Sequence, residues 1–594
     1  MKRKALFSIV CLTLCIMFTV AIGPSAGKAA FVSSKDFPLI GDPGARKGGV
    51  LRYAIREYPA TFRVYGPNSN TTFISMMESL VYQRLVSIHP ETLEFIPSLA
   101  EAWEIGKDQK TFRFRLDPDA RWADGKPVTP EDVLFSWELA TDPRIKDPYT
   151  TELYSKFHRP VIEDSRTVKI VAKGLHWRNF MFVGANLAIL PAHTYRGQNY
   201  LKTFQWKIPN GSGPYELGKF SKGRTIEFRR RKDFWARDKR AFQGTHNFDK
   251  IRFIVIRDPN LEIEKFKKGE LDFYGVAVAR KWKEELTLEK ISSLRMGWMQ
   301  KRKIYTLRPN GIYGLAFNMR RKPFDDVRVR KAMALLYDRG TLIEKLFYNE
   351  YLPMNSYFPG TVYENPENEK ITYDTEKARE LLAQAGWVKR NARGILEKDG
   401  KSFSFTLLYG SQQSERHLAV YQQDLRRAGI DLKLQLTNFA TMWKLVDDRR
   451  FDMVSVGWSA LIFPNPEFNF HSRYADRKQT NNITGYKNPR VDQILDAYPG
   501  MFDLQERIRA LREMDGLIHR EHPYVLNWYG PFTRILYWNR FGMPPSYLSK
   551  MGDMNDILTL WWIDPEKKRT LKDAMDNDRA LPVGPVEVKY WLER

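Results

Sequence analysis

Cysteine is almost missing from this sequence. Two occur in 594 residues, Cys11 and Cys15, which excludes a disulfide framework and any zinc site needing several thiolates. Histidine is scarce too, with nine residues. The nearest approach to a metal pair is His519 and His522, with Glu521 between them. That is not H-E-x-x-H and has no third ligand, so a surface or helix-end pair is the better reading and no metal is expected. No G-x-S-x-G elbow, Walker loop or G-x-G-x-x-G after a strand occurs, and the glycine-rich NGSGPY at 210–215 reads as a turn. With no catalytic constellation, the sequence points away from an enzyme and implies no cofactor. After Ile22 no apolar run is long enough to span a bilayer.

The N-terminus holds the one long apolar run. Lys2, Arg3 and Lys4 precede Ala5–Ile22, and small residues follow, with Gly27 and Ala29 at cleavage spacing. This predicts a signal peptide over 1–29, cleaved near Ala29. The alternative is an uncleaved anchor helix, since the run is close to the lower limit for spanning. Both cysteines lie inside it, so the mature chain would be free of thiols. The whole chain carries 95 basic and 70 acidic residues, a net +25. Removing Lys2, Arg3, Lys4 and Lys28 leaves 91 basic residues and +21. Hydrophobic residues make up 43% and charged residues 28%, a globular balance that excludes a disordered, collagen-like or polytopic membrane chain. At about 150 residues per domain, the length predicts two to four domains or one large discontinuous fold.

Three basic runs stand out: FRRRKDFW at 228–235, KRK at 301–303 and RRK at 320–322. Aromatics beside them would suit nucleic acid. Export argues against that partner, and solvated surface is the plainer reading, with attraction to anionic ligands or surfaces as the functional one.

Alternation in TFRFRL at 111–116 predicts a half-buried strand. Thr129, Pro130, Glu131 and Asp132 predict a capped helix start, with Val133, Leu134 and Trp137 on one face. Asp374 caps a helix whose Ala378, Leu381, Leu382 and Ala385 fall at i, i+3, i+4 and i+7. Strands are predicted at 226–235, 251–256, 403–409, 430–436 and 523–530, and helices at 326–337, 414–428 and 503–520. Their alternation in the second half predicts α/β lobes.

The stretch IPSLAEAWEIGKDQKTFRFRLDPDARWADGKPVTPEDVLFSW at 96–137 resembles a hallmark segment of bacterial extracellular solute-binding proteins of family 5. These are the oligopeptide/dipeptide-type binding components of ABC importers. The likeness continues in order through GSGPYELGKF at 211–220, RRKDFW at 230–235, FDKIRF at 248–253 and KKGELDF at 267–273. It goes on through FNMRRKPFDDVRVRKAMALLYDR at 317–339, YDTEKARELLAQAGW at 373–387, FDMVSVGWS at 451–459 and YKNPRVDQILDA at 486–497. NNITGYKNPRVD and WWIDPEKK look closest to the microcin C/oligopeptide-binding subgroup.

The resemblance implies an α/β, two-lobed periplasmic binding protein of type II, with hinge-joined lobes and an α+β subdomain inserted in lobe I. Lobe I would hold 48–80, 205–312 and 525–594 with the C-terminal tail, the insert 81–204, and lobe II 313–524. It further implies capture of peptides or peptide-like solutes by lobe closure, with delivery to an ABC permease complex in the inner membrane, by a monomer with no nucleic-acid partner. Where relatives continue the GW block to a carboxylate, this chain has Leu461. The ligand-binding residues implied by matching blocks are Trp458, Ser459, Tyr313, Tyr58, Tyr65, Asn68, Phe463 and Asn465. Within the family, oligosaccharide, haem or a murein-derived ligand are alternatives; outside it, a secreted hydrolase or a basic wall- or membrane-surface protein.

Overall fold

The computed structural model describes residues 31–33 and 36–594. The expected signal peptide lies outside the described residues.

Two sets of sheets form around separate cores. In the first, Val50–Ile55 runs parallel to Lys250–Val255, which pairs antiparallel with Thr225–Arg230 and through it with Tyr215–Ser221. Leu51, Ile251, Phe253, Phe228 and Ile226 all point to one face and are fully buried there, the period-two outcome of a pleated strand. A second sheet of the same lobe orders Phe273–Gly275, Phe532–Trp538, Met299–Tyr305 and Glu587–Val588.

Between Val50–Ile55 and Tyr215–Ser221 the chain makes an antiparallel sheet of Ala100–Ile105, Thr111–Leu116, Thr167–Val171 and Val161–Ile162. TFRFRL alternates as its sequence requires, with Phe112, Phe114 and Leu116 inside. The helix Pro130–Thr141 covers the sheet. Its Asp132, expected to favour the helix dipole, is also a buried acceptor. It takes the Thr129 N–H at 2.8 Å, the Trp122 indole N–H at 3.1 Å and the Ala192 N–H at 2.8 Å. The glycines of NGSGPY serve close packing. A Cβ on Gly211 or Gly213 would come within 2.4 or 2.7 Å of the Val81 or Leu80 carbonyl oxygen.

The second lobe is one mixed sheet in the order Asp431–Leu436, Ser404–Tyr409, Met453–Trp458, Ile312–Phe317 and Tyr524–Leu526. Helices Val327–Leu335, Thr375–Gln384, Glu415–Ala428 and Leu504–Glu521 supply its two apolar layers. Glu415–Ala428 stops at Gly429, whose φ of +92° is a left-handed value that glycine adopts without strain.

The chain passes between the lobes twice after the insert. Met299–Tyr305 leads into Ile312–Phe317, and Tyr524–Leu526 leads back to Phe532–Trp538. Both pairs are antiparallel, so the two passages run side by side. The return falls later than the expected 525. Tyr524–Leu526 pairs with Ile312–Phe317 and Trp528–Tyr529 with Leu352–Pro353, so second-lobe pairing extends to Tyr529.

Candidate functional site

The two passages place a distinctive set of side chains at the junction. Trp458 ends its strand opposite Ile312. It is half-buried, packs edge-on against Trp443 at 5.7 Å and donates its indole N–H to the Tyr524 hydroxyl at 3.0 Å. The chain then leaves as the loop 459–466, which carries no charged residue. Ser459 is exposed, Leu461 is 52% exposed, and Phe463 and Asn465 are half-buried. Tyr313, one residue into the first passage's strand, is half-buried edge-on to Trp528 at 5.9 Å.

The first lobe offers a polar wall. Helix Thr72–Val81 forms because Thr71 caps it, accepting from the Ile74 N–H, and because Phe73, Ile74, Met76, Met77, Leu80 and Val81 bury one side. The opposite side presents Thr72, Ser75 and Ser79. Together with Asn70, Arg308 and Asn555 these line a cavity of about 460 Å³. Arg308 lies on the first passage and is ion-paired with Asp553. Burial lowers its pKa and nearby Asp556 opposes that. Gly311, against Trp458, is three residues further on, at most about 10 Å of extended chain. Hydroxyls, two amides and a guanidinium can hold the polar groups of a small solute.

The sequence-implied residues divide. Trp458, Ser459 and Tyr313 gather at the second-lobe side of the passages, and Phe463 and Asn465 follow on the same loop. Tyr65 is 6% exposed, and its hydroxyl accepts from the Ala188 N–H at 2.9 Å, tying its loop to the inserted region. Tyr58 packs against Trp206 and Phe62, its hydroxyl buried without a partner. Asn68 is exposed, with φ +64°, and is not among the residues lining the cavity. The wall residues Thr72, Ser75 and Ser79 were missed, although their i, i+3, i+7 spacing on an otherwise apolar helix was a readable signal. Arg308 and Asn555 had no local signal.

The basic runs are largely consumed inside the fold, which corrects the reading of them as free surface. Arg231 donates to the Gly211 and Gly213 carbonyls. Arg230 pairs with Asp249. Lys301 donates to the Trp282 and Leu286 carbonyls, and Lys303 pairs with Glu350 at 3.0 Å. Arg320 donates to the Ile483 and Asn482 carbonyls. His519 engages the Glu369 carbonyl through Nε2. Among the described residues no three His, Cys, Asp or Glu come together as metal ligands.

Residues 94–481 match the family described as bacterial extracellular solute-binding proteins, family 5 Middle. The chain belongs to that family. As a family 5 solute-binding protein it is similar to the oligopeptide-binding protein AppA of Bacillus subtilis, 26% identical over 95% of this chain and 100% of AppA. It is also similar to the probable peptide-binding protein YejA of Agrobacterium fabrum, 27% identical over 87% of this chain and 90% of YejA. AppA solved with a nonapeptide matches its structure at a TM-score of 0.70, with 23% identity, over 87% of this chain and 99% of AppA. NikZ of Campylobacter jejuni solved with Ni(L-His) matches at 0.69, with 21% identity, over 86% and 99%. The solute-binding protein thus has the two-lobed fold of periplasmic binding proteins. No helix among its described residues is long and apolar enough to cross a membrane.

Proposed function

We propose that the protein captures peptides or peptide-like solutes in the periplasm, after cleavage near Ala29, and delivers them as a monomer to an ABC permease complex in the inner membrane. The observation that carries this reading is the hydroxyl- and amide-rich cavity of the first lobe, which Arg308 of the first passage lines, with the Trp458 loop starting against Gly311 three residues further along that passage. A solute touching both favours the arrangement that brings them together, and the two side-by-side passages are where that motion is taken up. Relatives with peptide-binding names support the solute class. The segments NNITGYKNPRVD and WWIDPEKK support a kinship with the microcin C/oligopeptide-binding subgroup. We divide it into lobe I at 48–80, 205–312 and beyond Tyr529, an insert at 81–204, and lobe II between.

The uncharged loop 459–466 defines what is captured. A free ammonium beside Leu461 would have no counter-charge, at a cost of several kcal/mol once desolvated. The solute is therefore blocked or modified at its amino end, or anionic. Calorimetric titration with a tetrapeptide and its N-acetyl form tests this. The acetylated form is expected to bind at least as tightly. A strong preference for the free amine would overturn the specificity, and no binding by any peptide would overturn the class.

A further inference from the structure

Besides the passages, a short segment of the inserted region reaches across to the second lobe. Beyond strand Thr167–Val171, Trp177 donates its backbone N–H to the Pro499 carbonyl at 2.9 Å. Its ring stands edge-on to Tyr498 at 5.8 Å and to Phe463 at 6.1 Å. The Arg507 guanidinium lies over it at 4.1 Å. The exchange is mutual: Trp177 packs on the second lobe's core, while Phe463 of the Trp458 loop packs on the first lobe's.

The next residue, Arg178, sits in this seam. It is 6% exposed, with its guanidinium over the Phe182 ring at 4.9 Å. Its Nε and Nη1 are buried and have no hydrogen-bond partner among the described residues. The acidic groups acting on it are two tyrosine hydroxyls, Tyr498 and Tyr149, and burial lowers its pKa. Tyr498 in turn donates to the Pro464 carbonyl at 3.0 Å, so Arg178 lies toward the same uncharged loop. Arg507 adds a second cation, whose Nη1 donates to the Met501 and Phe502 carbonyls while its Nε is buried without a partner among the described residues. The seam therefore holds two guanidinium groups with buried N–H groups left over, two nitrogens on Arg178 and one on Arg507, and neither is ion-paired with a carboxylate among the described residues.

A buried, unpaired guanidinium is costly, and its planar fork matches carboxylate and phosphate oxygens two at a time. We propose that Arg178 receives an oxyanion of the captured solute, a carboxylate or a phosphate, at the seam between Trp177 and the loop 459–466. The proposal rests on the solute-capture reading above and names the chemistry of one end of the solute. Neutralising Arg178 there also strengthens the contact between insert and second lobe, so binding and closure favour each other.

The test uses the full exported chain with Arg178→Met and Arg178→Gln. In chloride, the methionine variant is expected to melt at or above the wild-type temperature, because an uncompensated charge is gone. Replacing chloride by inorganic phosphate or acetate at matched ionic strength is expected to raise the wild-type melting temperature and neither variant's. A tetrapeptide free acid is expected to bind wild type at least tenfold tighter than its C-terminal amide, a difference both variants abolish. An acid preference assigns the oxyanion to a peptide carboxylate, and a response to phosphate alone assigns it to a phosphoryl group. Equal anion responses in all three proteins show a general salt effect and overturn the proposal. So does a large loss of stability in both variants with no anion response in wild type, which makes Arg178 purely structural. Peptide binding independent of Arg178 overturns this site alone; an Arg178-dependent anion response without peptide binding overturns the capture reading alone.

Discussion

Gly311 lies against the backbone of Trp458 so closely that a Cβ there would sit 1.6 Å from the Trp458 carbonyl oxygen. The first passage and the start of the loop 459–466 are therefore one packed unit. Gly311→Ala must push them apart. It is expected to destabilise the protein by about 1–3 kcal/mol, as overpacking does, and to weaken solute binding as well. Urea unfolding with calorimetry measures both, and a wild-type midpoint would show that the passage yields freely.

Trp458 carries structure as well as contact surface. Truncating it to alanine removes packing on Trp443 and leaves the Tyr524 hydroxyl without its donor. Because the side chain is half-buried, the expected loss is about 2 kcal/mol, below that of a fully buried tryptophan. Tyr524→Phe should cost about 1 kcal/mol through the unpaired indole N–H. If the alanine variant loses affinity with unchanged unfolding free energy, Trp458 acts on the solute alone.

Acid should destabilise the fold through buried histidines. Burial lowers the pKa of His417 to about 4, and burial with Arg178 and Lys156 nearby lowers that of His176 to about 4. The unfolded chain takes up these protons near pH 6.5 while the folded chain resists, so stability is lost as pH falls from about 6.5 to 4. His417 is 5% exposed, with Nε2 unpartnered beside Trp528. His417→Phe is expected to flatten the pH dependence of the unfolding free energy, and an unchanged slope would place the effect elsewhere.

Glu350 neutralises the edges of both passages. It pairs with Lys303 and Lys283 at 3.0 Å and lies 3.9 Å from Arg534. Burial opposes its ionisation, and the two lysines outweigh burial and hold its pKa low. Glu350→Gln leaves these cations facing each other and is expected to cost about 3 kcal/mol. Small-angle scattering should show a more extended chain, and an unchanged melting temperature would count against the network.

What could be read from the sequence followed local rules. TFRFRL gave its faces by alternation, and the 375–384 helix its cap and stripe by spacing, because each depends on neighbours a few residues away. The ordered family blocks pointed to Trp458, Ser459 and Tyr313, whereas nothing local pointed to Arg308, Asn555 or Arg178, whose surroundings are built where segments hundreds of residues apart meet. Nothing local reveals that the Tyr65 hydroxyl is taken by Ala188. The basic runs misled for the same reason: their carbonyl and carboxylate partners are distant in sequence.

The last strand of the chain, Glu587–Val588, pairs with Lys303 and Ile304. This sheet of the first lobe is thus assembled from pieces between Phe273 and Val588, while the second lobe's sheet is complete by Leu526. Long loops must close before the first sheet gains its contacts, and such closure is slow. A chain still being synthesised can complete its second lobe's sheet while that of the first lobe still awaits its last strand.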